Sequence, residues 1–290
     1  MALGPDDLVA CHWMLTGAAM GELARWPFEE RVAAAARAGY KGIGTRYDEY
    51  AASRASGLSD ADMRAILDRH GIVLQELEFV YGWSSDDGEK QAEARRIEGL
   101  AYQAADALGA HHLNVGCSEA LGALAAVEAV AERFAGLCDR AAEHGLKVAI
   151  EFMPWTGIPD AAKAWEVVRF AGRPNGGLLV DSWHYFRGAA EPSMLRPVPA
   201  DRIVALQIDD ADAAIVGSMS QDTRRRRLPG DGSFDLDGFV RLLDEIGVRE
   251  PYGVEIISDA RASLPLDEAL GEAYKATRTV LDRARRTRVS

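Results

Sequence analysis

At 290 residues, 48% of them hydrophobic, the chain is long enough to bury one large core, and its formal charge of −12 at pH 7 disfavours nucleic acid and anionic membranes as partners. The opening MALGPDDLVACHWML has no basic region ahead of an apolar one, and no apolar run approaches a membrane span, so a cytoplasmic location is expected. Cys11, Cys117 and Cys138 are odd in number and lack CxxC spacing, which excludes a disulfide framework or zinc finger and leaves them as buried thiols.

In chain order, strand-like runs alternate with amphipathic ones. The strand signals are LVACHWML near residue 8, YKGIGTR near 40, IVLQELEFV near 72 and AHHLNVGC near 110, followed by KVAIEFMPW, GGLLVDSWHYF, RIVALQIDDA and YGVEIIS. Between them FEERVAAAARAG, SDADMRAILDRHG, EKQAEARRIEGLAYQAADALG, ALAAVEAVAERFAGLCDRAAEHG, DAAKAWEVVRFAG and LDGFVRLLDEIG repeat apolar residues every three or four positions. Many of these end at a glycine, the residue that stops helices, and LDEALGEAYKATRTVLDRARR closes the series. After Trp183, FRGAAEPSMLRPVPAD is too rich in proline for more than a short helix. Eight strand signals in alternation with helices predict an α/β fold, a single (β/α)8 TIM barrel over residues 1–290, and favour it over an open doubly wound sheet. No GxGxxG opens a helix after a strand, so nothing supports dinucleotide binding.

The last four strand signals each carry one metal-capable side chain near their end: Glu151, Asp181, Gln207 and Glu255. Strands covered by helices on both faces are nearly all apolar, so a carboxylate or amide in one needs a partner. As successive staves of one barrel the four ends converge, and three carboxylates with one amide oxygen suit a hard divalent ion, Mn²⁺ or Mg²⁺.

These residues carry a family resemblance. EFMPW with Glu151, Asp181-Ser182-Trp183-His184, Gln207-Ile208-Asp209-Asp210, RLPGDG at 227–232 and VEIIS with Glu255 together resemble the xylose isomerase-like TIM barrels called sugar phosphate isomerases/epimerases. The resemblance implies Glu151, Asp181, Gln207 and Glu255 as the metal quartet and His184 as the histidine that follows the metal aspartate. Two features depart from the ketohexose epimerases of that family. Gln207 stands where they have histidine, as in the 3-dehydroshikimate dehydratase branch, and FMPWTG replaces the segment that bears a substrate-binding glutamate.

Chemically, an ion bound to adjacent carbonyl and hydroxyl oxygens lowers the cost of the enediolate formed when the carbon between them loses a proton. Glu151 and Glu255 are placed to remove and return that proton, giving isomerisation or epimerisation; loss of a β-hydroxyl from the same enolate gives dehydration instead. His184 is expected either to touch a substrate oxygen and shuttle a proton or to orient a ligand carboxylate. The run Arg224 to Arg227 lies ahead of Pro229 and Gly230, where barrel loops cover the active site, and by resemblance Arg226 is the member expected to clamp a substrate carboxylate or phosphate. His12, Trp83, Trp155, Trp183 and Phe152 follow strand ends and are candidates for the cavity wall, whereas His70, His111, His112 and His144 read as structural. The expected partner is a small polyhydroxylated substrate, and assembly as a homo- or hetero-oligomer is compatible with the sequence. Endonuclease IV shares the barrel superfamily, but its three-metal site needs more strand-end histidines than this chain has. A non-catalytic barrel, or a subunit active only in a hetero-complex, is the rival outside enzymes.

Overall fold

A computed structural model describes residues 2–286. The elements are β1 (Leu8–Ala10), α1 (His12–Thr16), α2 (Phe28–Ala38), β2 (Gly42–Arg46), α3 (Tyr47–Ala55), α4 (Asp60–His70), β3 (Val73–Val80), α5 (Gly88–Leu108), β4 (His112–Gly116), α6 (Val127–Ala142), β5 (Lys147–Glu151) and α7 (Ala161–Ala171). There follow β6 (Gly176–Asp181), α8 (Ser182–Arg187), α9 (Pro192–Leu195), β7 (Ile203–Ile208), α10 (Met219–Asp222), α11 (Leu236–Ile246), β8 (Tyr252–Val254) and α12 (Leu266–Arg286). All neighbouring strands are parallel and β8 pairs with β1, so the sheet closes in the order β1 to β8 as a TIM barrel. Among the described residues no helix is long and apolar enough to cross a membrane.

The glycine stops hold where they were expected. Gly39, Gly71, Gly109, Gly172 and Gly247 cap α2, α4, α5, α7 and α11 in the left-handed conformation, which costs glycine nothing sterically. Two boundaries differ from the sequence expectation. β1 stops at Ala10 because the chain turns into α1 at His12, and YDEYAASRA, whose apolar face is weak, forms α3 directly after β2. The short helix expected in the proline-rich stretch is α9.

Side-chain alternation along each strand sorts residues into two layers. Odd and even neighbours point to opposite faces, so Val148 and Ile150 of β5, Leu178 and Val180 of β6 and Leu206 and Ile208 of β7 join the large core under the helices. Ala149, Leu179, Val204 and Ala205 form a separate small cluster. Glu151, Asp181 and Gln207 each lie two residues beyond a member of that cluster, which puts them on the same face, at the carboxyl ends of the strands.

Candidate metal and proton-transfer site

Register brings the four strand-end side chains together. Asp181 pairs with Gln207, Gln207 with Gly253, and Glu151 with Leu179, while Glu255 directly follows β8 and its N–H donates to the Ile208 carbonyl at 3.3 Å. Gly253 is required by this packing: a Cβ there would stand 2.7 Å from Cys11 Sγ and 3.2 Å from Gln207 Cγ. Asp181 also caps α8, its Oδ1 accepting the His184 N–H at 3.1 Å. That cap turns the Asp-x-x-His spacing into geometry, since it seats His184 Nε2 3.1 Å from Glu151 Oε1. Ligand atoms of Glu151, Asp181 and His184 consequently lie within 4.8 Å of one another, all three residues buried. Glu151, His184, Gln207, Arg226 and Glu255 open onto a cavity of about 300 Å³ whose apolar wall includes Trp13, Phe79, Tyr81, Met153 and Trp155.

Arg226 reaches this cluster from the loop after β7. Asp210 ties the loop down by accepting the N–H groups of Gly230 and Phe234 at 3.0 Å each, and its backbone bridges to Arg227, while Arg225 bridges to Ser258 beyond β8. Between those two bridges Arg226 turns inward and is only 2% exposed. Its Nη1 donates to Asp181 Oδ2 at 2.7 Å, to Glu255 Oε2 at 3.1 Å and to Asp209 Oδ2, and its Nη2 to Thr223 Oγ1 at 3.3 Å. The guanidinium expected to clamp substrate is thus already engaged by three carboxylates. Arg224 and Arg227 pair with Asp259 and Asp212 outside the barrel.

The balance of charge favours a further cation. Glu76, Glu78, Glu151, Asp181, Asp209 and Glu255 are all buried here, with Arg226 the arginine among them. Burial pushes Glu255 well above the usual carboxylate range, and although Arg226 pulls it down, Glu151, Asp181 and Glu76 add to the rise. Burial likewise drives Asp209 up, against the pull of Arg226. Asp181 alone of these three is held low: burial opposes its charge, but Arg226, His184 and the His184 N–H outweigh it. Gln207 Oε1 is buried with no hydrogen-bond partner, while its amide nitrogen points to Glu255 Oε1 at 3.4 Å. An orphaned acceptor amid surplus carboxylates is what a divalent cation's ligand set looks like without the ion's charge counted. The residues present fit such an ion.

A family model for xylose isomerase-like TIM barrels matches residues 32–282. The chain belongs to that family. Curated relatives include a 3-dehydroshikimate dehydratase of Pseudomonas aeruginosa, 31% identical over 44% of this chain and 20% of that protein. An inosose isomerase of Bacillus subtilis is 30% identical over 51% of this chain and 53% of its own length. The chain thus spans about half or less of the curated relatives it matches. Among solved structures, an IOLI protein with a binding zinc atom superposes with TM-score 0.83 at 21% identity, covering 96% of this chain and 98% of that one. A D-allulose 3-epimerase from Methylomonas sp. gives 0.74 at 18%, covering 97% and 100%. At these identities the structural likeness concerns the fold.

Within this family member's barrel, several residues expected on the cavity wall lie behind it. Trp83 is buried against Phe134 and donates its indole N–H to the Gly116 carbonyl at 2.9 Å. Trp183 is fully buried, edge-on to Trp155 and His184 and beneath the guanidinium of Arg226. Phe152 belongs to the core under the helices. Trp155 does line the cavity. His12 is fully buried in α1 with neither ring nitrogen hydrogen-bonded, because β1 ends too early to carry it to the mouth, and its neighbour Trp13 takes that place.

Burial, aided by the charges of Arg31 and Arg46, lowers the pKa of His12 well below the ordinary imidazole value, and burial lowers that of His111 to about 3. Both groups are then neutral when folded and take up protons on unfolding. Their contribution is complete above the unfolded pKa of roughly 6.5 and is lost as pH falls below it, at about 1.4 kcal/mol per pH unit for each proton. Urea unfolding across that range should show the slope, and His12→Leu should reduce it by about one proton. An unchanged slope would mean that His12 does not titrate in this way.

The sequence reading passed over Glu78 and Asn114, which also line the cavity from β3 and β4, and Asp209, which anchors Arg226. A signal for the first existed: Glu76 and Glu78 share one face of a largely apolar strand.

Proposed function

We propose that the chain is a divalent-metal-dependent isomerase or epimerase that moves a proton next to the carbonyl of a sugar or keto-sugar-like polyol. The observation that supports it most is the Glu151–Asp181–His184 cluster beside the orphaned Gln207 oxygen, at the floor of a cavity sized for a small molecule. Glu151, Asp181, Gln207 and Glu255 would hold the ion, which supplies Lewis acidity toward substrate oxygens. An oxygen-rich set favours Mn²⁺ or Mg²⁺, and the imidazole of His184 next to it also admits zinc.

Glu151 and Glu255 end strands three apart in the barrel and both face the cavity, so they flank a bound molecule from two sides. One removes the proton and the other returns it, which inverts or relocates the stereocentre. The imidazole 3.1 Å from Glu151 can take over a proton removed there and hand it back to the same carboxylate. Met153, Trp155 and the aromatic wall exclude water from the reacting carbon. Dehydration is the second reading, favoured by Gln207 and by the dehydratase relative.

Incubation of metal-loaded protein in deuterated water with ketoses, inososes, ketoglycosides and dehydroshikimate tests both. A compound that exchanges its α-proton without gaining ultraviolet absorbance supports isomerisation, a new conjugated enone supports dehydration, and no exchange with any compound contradicts the proposal. His184→Asn should keep the metal while lowering turnover on the order of a hundredfold or more; loss of metal before loss of turnover would instead assign His184 to holding Glu151.

A further inference from the structure

The quartet occupies β5 to β8, which leaves the opposite arc of the closed barrel to other work. On that arc Glu78 of β3 and Asn114 of β4 line the same cavity, 3% and 0% exposed. Glu78 Oε1 and Asn114 Oδ1 have no hydrogen-bond partner, although both are buried polar atoms that are costly to leave unmet. The arrangement fixes their polarity. Asn114 donates one amide N–H to Glu76 Oε2 at 3.2 Å, which orients the amide and leaves its buried Oδ1 as the unmet acceptor. Gly44 makes room for Glu76, since a Cβ there would stand 2.3 Å from Glu76 Oε1. Burial, with Glu76, Glu255 and Glu151 nearby, pushes Glu78 well above the usual carboxylate range, toward the protonated form that donates, so the pair on adjacent strands offers one donor and one acceptor. Arg46, also on the cavity wall, is held by Asp48 through Nε and Nη2 at 3.0 and 2.6 Å.

We propose that Glu78 and Asn114 form a second polar subsite, on the β3–β4 side of the cavity, which exchanges hydrogen bonds with hydroxyl groups of the substrate remote from its reacting carbon. The inference rests on the reading of the cavity as a proton-transfer site and narrows it. A hydroxyl, which both donates and accepts, fits this pair; a carboxylate or phosphate, which brings only acceptors, leaves Asn114 Oδ1 unmet and adds negative charge to a cavity already lined by Glu151 and Glu255. The substrate class is therefore a neutral cyclic or open-chain polyol bearing a ketone.

The test compares wild type, Glu78→Gln and Glu78→Leu, each folded by circular dichroism and loaded with Mn²⁺, for α-proton exchange with scyllo-inosose, D-fructose and 3-dehydroshikimate. Wild type should exchange a neutral polyol with lower KM than 3-dehydroshikimate. Glu78→Leu should raise that KM on the order of tenfold to a hundredfold with metal content unchanged. Glu78→Gln, which keeps the shape, a donor and an oxygen acceptor, should raise it less, and it carries the test if the leucine variant does not fold. Unchanged KM in the variants, or a wild-type preference for the anion, overturns the subsite alone. No exchange by wild type with any of the three overturns the proton-transfer reading and the subsite with it.

Discussion

Arg226→Met is expected to destabilise the fold by about 3–5 kcal/mol near neutral pH, because it strips the shared counter-ion from buried carboxylates without removing them. Asp181, Asp209 and Glu255 all accept from one nitrogen of that guanidinium, and all three are at most 4% exposed, so water cannot replace it. The deficit should also depend on pH in a defined direction. Burial already pushes Asp209 and Glu255 upward in the intact protein, with Arg226 opposing it. Without Arg226 their folded pKa values rise further above the unfolded ones. A raised carboxyl contributes fully below its unfolded pKa, about 4, and loses that contribution as pH rises. The variant should thus fall further behind wild type between about pH 4 and pH 8. Urea unfolding at several pH values measures this; a deficit below about 1 kcal/mol, or one independent of pH, would place the balance of charge elsewhere.

Glu255→Gln and Glu151→Gln should each lower proton exchange on the order of a hundredfold to ten-thousandfold, the usual worth of a positioned proton-transfer group. Each change preserves shape and removes only charge and basicity. Glu151→Gln takes from His184 Nε2 its carboxylate partner at 3.1 Å, whereas Glu255→Gln removes one of the three carboxylates on Arg226. Exchange rates within tenfold of wild type in both would remove the two glutamates from the chemistry.

The barrel and the convergence of four strand-end side chains were legible because both are written in periodicities. Alternating helix and strand signals fix a (β/α)8 order, and a carboxylate at the end of an apolar strand declares its need for a partner. Arg226 is another matter. Four consecutive arginines look alike, and what separates the second last from its neighbours is a pair of backbone bridges, Asp210 to Arg227 and Arg225 to Ser258, which turn one side chain inward. Such long-range pairings leave no local signature.

His12 and Glu78 show two further limits. The expected first strand ran through His12, and the break into α1 after Cys11 moved the imidazole from the mouth into the core while bringing Trp13 to the cavity. In LQELEF two glutamates alternate with apolar residues, a pattern that normally marks a solvated strand face. Closure of the barrel reverses its meaning, since the face that would meet water in an open sheet becomes the lumen.

Metal binding by the strand ends is the most direct measurement. Titration of the metal-free protein with Mn²⁺, followed by electron paramagnetic resonance, should give one tightly held ion per chain in wild type and none in the Glu151→Gln/Glu255→Gln double variant, with both proteins folded by circular dichroism. Full occupancy in the double variant would contradict the assignment of the site.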